Sequence, residues 1–256
     1  MLVSLSSFSA PSARQAAAAS AAVLAAALAG QAHAASLQIS PVMINLRAAQ
    51  TASGISLQND GDVPIYGQVR VFVWDQKGGD DVLTPTDELI ASPPVMQIGP
   101  KSTQTIRLVR RTGPAGGPER QFRVLIDEVP TTAEAREGVA IKLQYSVPVF
   151  VAATAPDVAP QLAWQFFRRD GAWYLRVTNS GTLHAQIGAT TLQAGGKDHE
   201  LSKGLLGYAL AGRQREWRLA LAPAVALDGP LAIRANINAR PSTASGELVA
   251  RPEPVR

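Results

Sequence analysis

The chain has 256 residues, 46% of them hydrophobic and 17% charged, with a formal net charge of +4. That length accommodates one large domain or two ordinary ones, and so small a charge gives no argument for nucleic acid. The chain has no cysteine, so an exported fold would have to rest on core packing rather than on disulfides.

The first segment reads as a leader. An apolar, alanine-rich run over 16–29 follows Arg14 and is closed by Ala32-His33-Ala34. This is the pattern of a secretory signal peptide, expected to span 1–34. The competing reading, a membrane anchor, is disfavoured because the run falls short of the roughly 20 residues that a span requires. No later segment is long and apolar enough to cross a bilayer, so the remainder is expected not to be membrane-embedded.

From Leu37 on, short alternating runs are separated by turn signals. Leu37–Leu46 is the first. Ile55–Gln58 ends at Asn59-Asp60-Gly61-Asp62, and Ile65–Asp75 stops at Lys77-Gly78-Gly79. Val95–Ile98 lies between Pro93-Pro94 and Gly99-Pro100. Thr103–Arg111, Gln121–Val129 and Val139–Val151 complete a set that reads as one immunoglobulin-like sandwich over 35–152. The Pro/Ala-rich segment 153–160 reads as a linker. A second, smaller sandwich over 161–241 is expected from Gln161–Arg168, Ala172–Asn179, Leu183–Gln193, Leu205–Leu210, Arg213–Leu219 and Leu231–Asn238. Residues 242–256 read as a loose tail. The fold class is all-β, with two tandem immunoglobulin-like domains.

Little here suggests chemistry. His184 and His199 have no partner at metal-ligand spacing, and the neighbouring acid pairs Asp80-Asp81, Asp87-Glu88 and Asp127-Glu128 would point to opposite faces of a strand. The chain has no nucleophile elbow and no glycine-rich phosphate loop. No catalytic residue, metal site or cofactor is expected. The basic clusters Arg107/Arg110/Arg111 and Arg213/Arg215/Arg218 lack interleaved aromatics, so nucleic acid is not expected as a partner. Trp74, Trp164, Trp173 and Trp217 are scattered in a way that suits cores better than a carbohydrate-binding face.

One run poses a functional question. In VAIKLQYSVPVFV, Val139–Val151, every odd position is apolar, and Pro148 interrupts the even side. A strand of this length would span about 43 Å, whereas strands usually hold about 5–6 residues. The proline marks an edge strand, and a long apolar edge invites pairing with another chain. Its surplus face would pack either on the second domain or on another protein by strand addition. The residues alone leave both open.

Three stretches in order, LIASPPVMQIGPKSTQTIRL (Leu89–Leu108), QFRVLIDEVP (Gln121–Pro130) and the Val139–Val151 strand, resemble the periplasmic fimbrial, or pilus, chaperone family. SLQISPVMINL is similar to that family's first strand, and GYALAGRQREW (Gly207–Trp217) to its second domain. The resemblance implies two immunoglobulin-like domains in a boomerang arrangement. It also implies a periplasmic chaperone that lends a strand to an incomplete pilus subunit and passes it to an outer-membrane usher. The implied donor residues are Ile141, Leu143, Tyr145, Val147 and Val149, with Val149 and Val151 also serving the chaperone's own core near the linker. The free form would be a monomer or a weak dimer.

Family members carry two basic residues that grip the subunit's C-terminal carboxylate, but here the matching positions are Pro41 and Pro148. That departure, RVFVWDQ and the acidic Thr84–Glu88 segment resemble the archaic branch that assembles spore-coat-U-like pilins. A relocated anchor is then implied, with Arg123 first and Arg107 second, and Glu128 as a candidate for an interdomain ion pair. The rival readings are a secreted tandem immunoglobulin-like structural or ligand-binding protein, and a pilus subunit or adhesin. A subunit would lack its own last strand, whereas here that strand is present and long.

Overall fold

The computed structural model describes residues 37–111, 118–129, 142–154 and 159–249. All regular structure among them is β-strand, and no helix among them is long and apolar enough to cross a membrane. The strands of the first domain are β1 (Leu37–Ser40), β2 (Ile44–Leu46), β3 (Ala52–Asn59), β4 (Ile65–Lys77), β5 (Asp80–Pro85), β6 (Leu89–Ser92), β7 (Val95–Ile98), β8 (Ser102–Arg110), β9 (Arg120–Glu128) and β10 (Gln144–Val151). One sheet has the order β1-β3-β8-β6 and the other β2-β10-β9-β4-β5, with β7 also on β4. Their facing sides enclose a core that includes Ile55, Leu57, Ile106, Leu108, Phe122 and Val124. Each comes from an alternating run, as a half-buried strand requires.

Two features differ from the sequence reading. The run Leu37–Leu46 is two strands in different sheets, because the chain crosses between them at Pro41-Val42-Met43. Strands β5 and β6 lie inside a stretch read as a connection. Strand β5 is an edge with no buried residue, so it offers no apolar period to detect.

The second domain contains β11 (Leu162–Arg169), β12 (Ala172–Asn179), β13 (Ala185–Ala194), β14 (Lys197–Ser202), β15 (Gly207–Ala209), β16 (Arg213–Arg218), β17 (Leu231–Ile237) and β18 (Arg240–Leu248). They form one continuous sheet, β14-β13-β17-β18-β11-β12-β16, with β15 on β13. It folds over a core that includes Trp164, Phe166, Leu175, Ile187, Leu192 and Ile233. Strand β18 makes the corner, pairing antiparallel with β17 and then, from Gly246, parallel with β11. The expected loose tail from 242 is therefore ordered as far as Leu248. Its side chains are largely exposed, which hides a strand whose backbone is paired along its length, first to β17 and then to β11.

The two domains use one device at the same place. Asn59 and Asn179 are fully buried at the ends of β3 and β12. Each Oδ1 accepts the amide two residues on, that of Gly61 or Gly181. Each Nδ2 donates to carbonyls across the turn, those of Val63, Ile98 and Gly99 or of Leu183 and Ala209. An Asx turn of this kind mimics a backbone turn, and satisfying every amide group makes its burial affordable.

Candidate functional site: an open strand edge beside a cationic cleft

Among the described residues β10 is Gln144–Val151, eight residues long; the expected start of the run, Val139–Ile141, lies outside them. Pairing to β9 runs from Gln144↔Asp127 to Val151↔Arg120, and the amide of Glu128 donates to the Leu143 carbonyl at 3.1 Å. On its other side, β10 meets β2 only through Val149–Val151, in parallel register with Ile44–Leu46. The edge from Gln144 to Pro148 therefore has no strand beside it among the described residues. An unpaired edge is a template for another chain.

The side chains divide along this strand. Val147, Val149 and Val151 are buried in the first domain's own core. Tyr145 is half-buried against that core, and its hydroxyl donates to the Leu37 carbonyl at 3.1 Å. Burial, and then the charge of Glu128, push the Tyr145 phenol above its ordinary pKa. Leu143 is partly exposed. Of the five donor positions, Leu143 and Tyr145 are thus accessible while Val147 and Val149 are committed to the chain's own packing. Ile141 lies outside the described residues.

Arg123 sits one strand in from this edge, on β9 opposite Pro148. Cross-strand partners share a face, so it projects from the outer side of the sheet, where the second domain packs. Its guanidinium carbon lies 3.6 Å from the Trp74 ring centroid and 5.3 Å from that of Tyr208. Burial lowers its pKa from the usual guanidinium value, opposed by the charges of Asp81 and Tyr208, and it stays charged at any physiological pH. No carboxylate comes within ion-pair distance of it among the described residues. A cation held by ring faces keeps its N–H donors free for an incoming anion.

The other two implied residues are elsewhere. Arg107 is exposed on β8, in the opposite sheet, between Gly54 and Ser92. Glu128 is at the far end of β9, opposite Gly67, whereas the second domain packs over the end of β9 that carries Arg123. Among the described residues, neither lies at the contacts between the domains.

The groups that do line the cleft escaped the sequence reading. Trp74, Phe150, Tyr208 and Leu210 form a small buried cluster between the domains, with Met43 against it. The His184 ring stacks on Phe150 at 3.5 Å, nearly parallel. Glu119 accepts the His184 amide and pairs with its Nδ1, both at 2.8 Å. Gln76, also buried, donates from Nε2 to the Tyr208 carbonyl at 2.9 Å and accepts the Leu210 amide at 3.0 Å. An open cavity of about 370 Å³ borders Met43, Phe150, Glu119 and His184. Among the described residues no group of acidic, histidine or cysteine side chains could hold a metal ion.

This fold and site define a two-domain, immunoglobulin-like binding protein with an open strand edge next to a cleft cation. Residues 36–156 match the family model described as pili and flagellar-assembly chaperone, PapD N-terminal domain, and over that span the chain is similar to that family. No curated protein matches the chain at the sequence level. Among solved structures it is similar to the CsuC–CsuE chaperone–tip adhesion subunit pre-assembly complex from archaic chaperone–usher Csu pili of Acinetobacter baumannii. That match has a TM-score of 0.65 and 22% identity, and it covers 83% of this chain and 99% of the other. It is also similar to the YadV chaperone, with a TM-score of 0.61, 18% identity and coverages of 82% and 99%. A third is the Salmonella enterica SafA pilin in complex with the SafB chaperone, with a TM-score of 0.55, 17% identity and coverages of 82% and 93%.

Proposed function

We propose that the protein is a periplasmic chaperone that binds incomplete pilus subunits by donor-strand complementation and hands them to an outer-membrane usher. The observation that carries this reading is the Gln144–Pro148 edge of β10, open among the described residues, with the Arg123 guanidinium one strand away on β9 and without an ion-pair partner among the described residues. A subunit lacking its last strand would pair with that edge. Leu143, Tyr145 and the preceding Ile141 would fill its groove, and its C-terminal carboxylate would reach Arg123. Val147 and Val149 would act from behind, by fixing the strand in register.

The energetics suit a releasable complex. Two or three large side chains buried in a groove contribute about 1.5–3 kcal/mol each. The remainder must come from main-chain pairing and the charge-assisted contact, against association costs of about 4–15 kcal/mol. A better-fitting strand could then displace the chaperone without any nucleotide. The subunits would be of the spore-coat-U-like type, which fits the absence of basic residues at Pro41 and Pro148 and the likeness to a chaperone of archaic pili. Export by the 1–34 leader would deliver the protein to the periplasm, where the free form would be a monomer or weak dimer.

The test is co-expression of the tagged, exported protein with a candidate pilin, followed by purification from the periplasm. Wild type should yield a 1:1 complex, and Leu143→Glu should not. If the two folded proteins fail to associate, or Leu143→Glu captures the pilin as wild type does, the donor-strand reading is wrong.

A further inference from the structure

The hydrogen bonds between the domains run from the central strand of one sheet, β9, through β4 to the β4–β5 hairpin at its edge. At the start of β9, Glu119 holds the backbone and ring of His184. In mid-sheet, Gln76 on β4 ties both polar ends of its amide to the Tyr208–Leu210 backbone. At the far edge, the tip of the β4–β5 hairpin docks on β16. There the Glu216 amide donates to the Gly79 carbonyl at 3.0 Å, Arg215 bonds the same carbonyl and the Asp80 carboxylate, and Arg213 reaches Asp75. Three clasps from the central strand to one edge of the sheet oppose twisting and rocking, which a single linker would permit.

The hairpin clasp depends on the absence of a side chain. Gly78 and Gly79 both have positive φ, 63° and 84°. A Cβ on Gly78 would meet nothing within 4 Å, whereas one on Gly79 would lie 2.8 Å from the Glu216 Cγ. Glu216 cannot easily yield, because its carboxylate is pinned by the nearly buried Arg176 and by Arg169. The tip therefore reaches β16 only because residue 79 lacks a Cβ.

We infer that the Gly79 tip is a remote positioning element: with Gln76 and Glu119 it locks the two domains at one angle, and so sets Tyr208 against Arg123. Arg123 belongs to the first domain and Tyr208 to the second, so the pose of the cation depends on the domain angle. The lock itself stands without the subunit reading; its effect on capture rests on it.

The absence of cysteine allows clean spin labelling. Labels at Thr103→Cys and Lys203→Cys, both exposed and one on each domain, report the angle as an interdomain distance distribution. Wild type and Gly78→Ala should give the same single narrow distribution, because Gly78→Ala adds backbone strain without the clash. Gly79→Ala should displace or broaden it, as should Gln76→Leu, while the resolved amide spectrum of each domain is kept. A broad distribution in wild type, or an unchanged one in both Gly79→Ala and Gln76→Leu, overturns the lock. In the pull-down, Gly79→Ala should lose capture relative to Gly78→Ala. A shifted distance with undiminished capture overturns the link to Arg123, while a shifted distance in a protein that captures nothing even as wild type leaves the lock standing and sinks the subunit reading.

Discussion

The guanidinium carbon of Arg123 lies 3.6 Å from the centroid of the Trp74 ring, with no carboxylate of the described chain close enough to neutralise it. A cation–π contact of this kind contributes about 0.5–2 kcal/mol, less than a buried ion pair would cost to break. Arg123→Ala should therefore leave the fold intact, with a modest fall in Tm, and abolish pilin capture. Arg123→Lys should restore capture only in part, since an ammonium cannot form the bidentate fork. Thermal unfolding followed beside the pull-down checks both; a variant that folds and captures normally would remove Arg123 from the site.

The division of labour between the start of this run and its end predicts opposite outcomes for two of its odd positions. Leu143→Ala should weaken capture with little change in stability, because Leu143 is partly exposed. Val149→Ala removes two methyls from a fully buried side chain and should cost about 2 kcal/mol or more in unfolding free energy. Chemical denaturation of the two variants separates them. Equal losses of stability would mean that both positions belong to the core.

Gln76→Leu keeps the volume of a buried side chain but strips the Tyr208 carbonyl and the Leu210 amide of their partner. Each group left unsatisfied costs about 1–3 kcal/mol. The loss should appear as weaker coupling between the domains, read as separation of two unfolding transitions in calorimetry. A single transition at the wild-type temperature would refute it.

The clasp between Asp75 and Arg213 should be insensitive to pH down to the acid range. Burial acts to raise the Asp75 pKa, but the hydrogen bond from Arg213, the Gln76 amide and the charges of Arg213 and Lys77 outweigh it, so the net value lies below 3.8. A carboxyl with a depressed folded pKa contributes stability that is present above its unfolded pKa and is lost as pH falls through the folded one. Domain coupling through this contact should be flat from pH 8 to about 5 and decline only below about 4. A carboxyl-detected NMR titration of Asp75 measures this directly; a midpoint above that of a free aspartate would reverse the sign.

Gly246 marks where β18 passes from β17 to β11. A Cβ there would stand 2.8 Å from both Ile233 Cδ1 and Phe166 Cε2, and both of those side chains are buried. Gly246→Ala should destabilise the second domain by about 1–3 kcal/mol through overpacking, with the first domain unaffected. Domain-resolved hydrogen exchange would show which of them loosens.

What could be read in the sequence follows from where side chains face. Strands β4, β8 and β9 were legible because one face of each is buried and their apolar residues alternate. Strand β18 was not, because RPSTASGEL has almost no apolar face to show. That Arg123 lies on the strand next to β10 could be read from the strand order together with the resemblance. The clasps could not, because Glu119 and His184 are 65 residues apart and Gln76 and Leu210 are 134 apart. No local period or spacing encodes such pairs; they exist only once two separately folded domains meet.

The shortness of β2 has a consequence for any visitor. It covers β10 from Val149 onward and stops at Ile44. A foreign strand laid along Gln144–Pro148 would run into the chain's own Val42-Met43 and could advance no further. Among the described residues the free interval of β10, Gln144–Pro148, is about 17 Å at the usual rise per residue. It measures the guest as a ruler does, and the end stop fixes which guest residue lies opposite each host residue before any side chain is compared.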